Sequence, residues 1–149
     1  MKKKILSLGL ILFLIPSILI GCGKKLEYSE VSSYGDKVLE EVLTALSNND
    51  YQSFYSHLSD DMAESYEYGI FQKESALLIT TVGVFKSLEF DTGEKRNGYN
   101  FAIYNTKFIN NGEEEDVRVS VAFKEDDESH KVYELYLYSD KLDEANSNS

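Results

Sequence analysis

The sequence predicts an α+β domain in which N-terminal helices pack on one face of a four-stranded antiparallel meander sheet. Three observations lead there. Apolar residues recur at helical spacing between Ser33 and Val82, the period changes to two after Gly83, and Asn110-Asn111-Gly112 is a hairpin signal between two alternating runs. A chain of 149 residues, 42% of them hydrophobic, holds one compact domain plus short appendages. With 11 Tyr and 8 Phe it is too aromatic to be intrinsically disordered.

Lys2, Lys3 and Lys4 precede an apolar stretch from Ile5 to Ile20, the arrangement of an export signal, so residues 1–21 are set aside from the fold. The stretch is short for a bilayer span of about 20 residues and is interrupted by Pro16. It ends in Leu19-Ile20-Gly21-Cys22, which resembles the lipobox of bacterial lipoproteins. In that pattern the thiol of Cys22 takes a diacylglyceryl group as a thioether. The small Gly21 leaves the preceding bond open to the lipoprotein peptidase, and Leu19 fills an apolar subsite. Ile20 is bulkier than the Ala, Ser or Thr often found at its position. The resemblance implies a lipid at Cys22 and a location on the extracytoplasmic side of the cell membrane, because saturated chains of the palmitate type supply two-signal anchoring. Residues 22–32 then read as a flexible lipid-anchored tether, with Lys24 and Lys25 beside the lipid phosphates.

The domain is expected over residues 33–139. Val38, Leu39, Val42, Leu43 and Leu46 mark a first helix, with Ser33 and Asp36 as start signals and Asn48-Asn49-Asp50 as its stop. Asp50 can cap a short second helix, and Ser59, followed by Asp60 and Asp61, a third. Phe71, Ser75, Leu78 and Val82 form one stripe of a longer helix from about Ile70, ended by Gly83. Strands follow at Phe85 to Phe90, Tyr99 to Ile103, Val117 to Phe123 and Tyr133 to Leu137. Residues 140–149 lack the material to pack and read as a disordered tail.

The runs Leu43-Thr44-Ala45-Leu46-Ser47-Asn48-Asn49-Asp50-Tyr51, Leu58-Ser59-Asp60-Asp61-Met62 and Val82-Gly83-Val84-Phe85-Lys86-Ser87-Leu88-Glu89 resemble uncharacterised lipoprotein domains of low-GC Gram-positive bacteria. That resemblance, over roughly residues 34–139, implies a cone-shaped nuclear-transport-factor-two-like (cystatin-like) fold. It implies no activity.

Charge and composition remove whole classes of function. The formal charge is -11, and loss of Lys2 to Lys4 with the signal makes it -14, because no acid precedes Cys22. Such a surface repels nucleic-acid phosphates and anionic lipid headgroups, which disfavours a DNA-binding or polybasic membrane-surface role. One cysteine allows neither an intrachain disulfide nor a CxxC pair. No GxGxxG, P-loop, GxSxG or HExxH pattern occurs. The acidic clusters Asp60-Asp61, Glu113 to Asp116 and Asp126 to Glu128 match no EF-hand loop and read as solvated surface. No catalytic residue, cofactor or metal ligand is assigned.

Two features point to function. The expected helix-facing sheet residues are Phe101, Ile103, Val117, Val119, Val121, Phe123, Tyr133, Leu135 and Leu137, which leaves Ala102, Tyr104, Phe108, Arg118, Ala122, Lys124, Tyr136 and Tyr138 on the other face. There Tyr104, Arg118, Tyr136 and Tyr138 have the aromatic-plus-cation mixture of interface centres, provided no bulge near Asn105 reverses Phe108. The reading is a non-catalytic binding or interaction module for a protein or an apolar ligand. One alternative is a small lyase or isomerase using His57 with a carboxylate, Asp60 lying three residues on; the other is an accessory spacer without ligand.

Overall fold

The computed structural model describes residues 23–148 and is α+β. Among the described residues are five helices, α1 (Gly35–Ser47), α2 (Tyr51–Ser56), α3 (Asp60–Ser65), α4 (Tyr68–Thr81) and α5 (Asp140–Ser147). The five strands are β1 (Lys24–Lys25), β2 (Val84–Arg96), β3 (Tyr99–Asn110), β4 (Glu113–Lys124) and β5 (Val132–Tyr138). They form one antiparallel sheet in the order β1-β2-β3-β4-β5, so the expected four-strand meander gains an edge strand. The lipobox residues Leu19, Ile20, Gly21 and Cys22 lie outside the described residues.

The helix boundaries follow local chemistry. The Asp50 carboxylate accepts the Ser53 amide at 3.1 Å to start α2, and the Ser59 hydroxyl accepts the Met62 amide at 3.3 Å to start α3. Helix α1 starts at Gly35 rather than Ser33, and its N-cap, Tyr34, makes no side-chain cap bond. Asp36, in the first turn, instead accepts the Tyr104 hydroxyl at 2.9 Å and the Tyr28 hydroxyl at 2.5 Å, which ties the helix to the sheet. Gly83 ends α4 at φ 89°, and a Cβ there would lie 1.9 Å from the Ile109 carbonyl oxygen. Handedness and close approach both demand glycine at that junction.

The sheet corrects the expected phase of β3. Strands β3 and β4 pair without interruption from Tyr99↔Lys124 to Asn110↔Glu113 around the two-residue turn Asn111-Gly112. In such a hairpin the odd-numbered positions of β4 oppose the even-numbered positions of β3. Val117, Val119, Val121 and Phe123 are buried as expected, and Thr106, Tyr104, Ala102 and Asn100 are buried opposite them. Phe101 and Ile103 therefore face away from the helices, while Tyr104 and Phe108, expected outside, lie in the core. No bulge occurs at Asn105. In β5 the register shifts between Ala122↔Glu134 and Phe123↔Val132, which leaves Tyr133 as the extra residue of a bulge instead of a core position.

Both ends of the described chain belong to the domain. Leu26 and Val31 are fully buried, and the Leu26 amide donates to the Gly93 carbonyl at 3.0 Å. A Cβ at Gly93 would come within 2.8 Å of the Leu26 side chain, so glycine is what lets the segment lie on β2. Glu30 pairs with Lys95 at 2.9 Å. The stretch read as a flexible tether is thus fixed from Gly23 onward. Its composition hides this, because two apolar residues five positions apart set up no period. The stretch read as a tail forms α5, capped by the Ser139 hydroxyl accepting the Leu142 amide at 3.1 Å. Leu142, fully buried, docks it, and Lys141 pairs with Glu115 of β4.

Candidate functional site

The helices cover one face of the sheet, and the other face is built by strand alternation. β3 contributes Tyr99, Phe101 and Ile103, all half-buried, β4 contributes Arg118 and Ser120, and β5 contributes Tyr136 and Tyr138. Arg118 pairs directly with Tyr138 across the ladder, and Tyr138 is 44% exposed. Three of the four residues expected on an interaction face are therefore brought together. Tyr104 is not among them, since it pairs with Val119 on the helix side and is fully buried.

Arg118 is not a free cation. Its Nη2 lies 2.6 Å from the Asp91 carboxylate, and Nη1 donates to the Asn105 side-chain oxygen at 3.4 Å. Asp91 is the extra residue in β2 between Phe90↔Tyr104 and Thr92↔Ile103, and this bulge frees its side chain to cross β3. A cleft of about 490 Å³ opens beside the pair, lined by Asn105, Asp116, Arg118, Tyr138, Ser139 and Asp140. The Asp140 carboxylate beside Tyr138 raises its phenol above the ordinary value, and burial does the same to Tyr136. Farther along the face the Arg96 guanidinium stacks over Phe101 at 4.7 Å, and Tyr99 meets Tyr133 edge-on at 5.5 Å.

His57 and Asp60 do not form a pair. Asp60 opens α3 at an exposed position, whereas His57 ends α2 and its Nε2 sits 3.1 Å from the Glu41 carboxylate of α1. Burial lowers the His57 pKa, with Glu41 opposing, so the imidazole is neutral at neutral pH. The pair lines a polar groove of about 500 Å³ between α1 and α2, together with Lys37, Glu40, Asp50 and Ser53. Sequence spacing could not find Glu41, because the contact depends on how two helices pack. The other histidine, His130, stacks on Tyr34 at 3.9 Å.

Glu74 is the polar residue that the apolar stripe of α4 conceals. It is 2% exposed, lying between Phe71 and Leu78 on the buried face. Its Oε2 accepts the Tyr66 hydroxyl and its Oε1 has no partner. Burial alone pushes its carboxyl up to about 8, so Glu74 is protonated at neutral pH.

Among the described residues no three His, Cys, Asp or Glu side chains are grouped to hold a metal ion, and the acidic clusters are separate surface features. No described helix is long and apolar enough to cross a membrane. No family model matches the chain, and neither a curated protein nor a solved structure matches it.

Proposed function

We propose that this protein is a lipid-anchored extracytoplasmic module that binds a protein partner or an apolar ligand through the helix-free face of its sheet. One observation supports this most. The face that would be an ordinary solvated surface carries half-buried Tyr99, Phe101 and Ile103 and, at its far end, Tyr136 and the cleft-lining Tyr138. In this reading the helices over the sheet, which the β2 bulges bend, correspond to the cone of a nuclear-transport-factor-two-like domain of Gram-positive lipoproteins.

Replacing Tyr136 and Tyr138 together by Ala should leave melting close to that of the wild type. Binding to a partner identified by cross-linking on intact membranes should weaken by about tenfold or more, since a hot-spot residue contributes about 1 kcal/mol or above. Undiminished binding by the folded double variant would remove this face from the proposal. A stability loss of core size would show that the face is covered within the domain.

Anchoring rests on Cys22, the single thiol of the chain. The Cys22→Ala variant should take up no radiolabelled fatty acid and should accumulate with residues 1–21 attached. Retained label would refute the lipobox assignment.

A second reading, a small lyase or isomerase, is favoured by the groove at His57. A neutral imidazole held by Glu41 is a base–orienter arrangement open to a small molecule. An activity lost in His57→Ala, but kept in the tyrosine double variant, would move the assignment to this groove.

A further inference from the structure

Resting on the lipid-anchor reading, we infer that the domain stands on the bilayer without a spacer, with the Arg96–Tyr99 tip of the sheet against an anionic lipid surface. The observation behind this is where the chain enters the fold. Lys24 pairs with Lys95 and Lys25 with Glu94, and the next amide, of Leu26, bonds Gly93. Gly23, one peptide bond after Cys22, is therefore level with Arg96 at the end of the β2–β3 hairpin. Consecutive Cα atoms are about 3.8 Å apart, and β4 lies three strand spacings, about 14 Å, from β1. A lipid on Cys22 consequently holds the whole tip at the height of the headgroups. A flexible tether would have left orientation open, but buried Leu26 and Val31 close that freedom.

The chemistry along the sheet agrees with this orientation. The tip carries Lys24, Lys25, Lys95, Arg96, Lys124 and Lys131, set among Glu27, Glu30, Glu94, Glu125, Asp126, Asp127 and Glu128, so six cations stand against seven acids. The opposite end carries Glu113, Glu114, Glu115 and Asp116 in a row, joined by Asp140, Asp143 and Glu144 of α5, against Lys86, Lys107 and Lys141. An acidic domain approaching an anionic bilayer is repelled least at its tip. Tyr99, Tyr133 and the Arg96–Phe101 stack also lie at that end, and such amphipathic side chains suit the headgroup layer. Arg118, the Tyr138 cleft and the β4 acids are then held away from the lipid, with Glu113 about 36 Å along β4 from Lys124 at ~3.3 Å per residue.

The test uses the full-length lipidated protein in phosphatidylglycerol–phosphatidylcholine vesicles. Thioether formation consumes Cys22, so a cysteine introduced at Asp126 (tip) or Glu113 (far end) is the single labelling site, and both substitutions remove one exposed acid. A fluorophore at Asp126→Cys should be quenched by headgroup-labelled lipid several-fold more than one at Glu113→Cys. Equal quenching, or stronger quenching at Glu113→Cys, in protein that floats with the vesicles would overturn the orientation while leaving the anchor intact. Failure to float would refute the anchor itself, and with it the orientation.

Discussion

Val119→Asp is expected to unfold the domain. Val119 sits at the middle of β4 with no exposed surface, between Tyr104 on one neighbouring strand and Leu137 on the other. The substitution removes a buried side chain contributing about 1.5–3 kcal/mol and puts a carboxylate where nothing donates to it. The added desolvation brings the loss to several kcal/mol, a large share of the roughly 5–15 kcal/mol that holds a domain together. Circular dichroism of the purified variant at 25 °C should show loss of the cooperative melt. A melt like that of the wild type would mean that Val119 does not face the core.

A second large effect is expected from Glu74→Gln, and it depends on pH. The unfolded chain releases the Glu74 proton near its ordinary value of 4.5, whereas the folded domain holds it to about 8. Between those values the folded state binds the extra proton. The stabilisation is therefore complete below pH 4.5 and is lost as pH rises through about 8. Glutamine keeps the shape, can accept the Tyr66 hydroxyl through its amide oxygen and has no proton to lose. The stability of the variant relative to the wild type should accordingly grow by roughly 3–5 kcal/mol between pH 5 and pH 9, at ~1.4 kcal/mol per pH unit. Urea unfolding at intervals across that range measures it, and parallel curves would show that Glu74 is ionised in the folded protein.

The sequence made some of this legible and hid the rest for identifiable reasons. Helix starts that depend on one polar side chain, at Asp50 and Ser59, could be read directly, as could the turn away from α4 at Gly83. The face of β3 could not be read from its own residues, because both parities are apolar: Phe101, Ile103 and Ile109 against Ala102, Tyr104 and Phe108. The information was in the turn. A two-residue Asn111-Gly112 loop obliges even β3 positions to share a face with the unambiguous odd valines of β4, which places Tyr104 in the core. At the open face, Arg118 and the two C-terminal tyrosines followed from alternation, but Asp91 did not, because a bulge breaks the period that would have located it. Glu41 and Glu74 acquire their chemistry from helix packing, and no local pattern reports that.

The pairing of β1 also bears on the order in which the molecule can be completed. β2 to β5 are joined by short turns, so each finds its neighbour by closing a small loop, whereas Lys24 meets Lys95 across 71 positions of chain, the difference of the two residue numbers. Loop-closure entropy grows with the logarithm of that length, and two ladder residues with Leu26 are little to set against it until the receiving edge exists. The first described segment to be synthesised is thus the one whose docking waits on the rest of the sheet. On the lipid-anchor reading proposed above, completing the fold and drawing the domain down onto the membrane would be a single event.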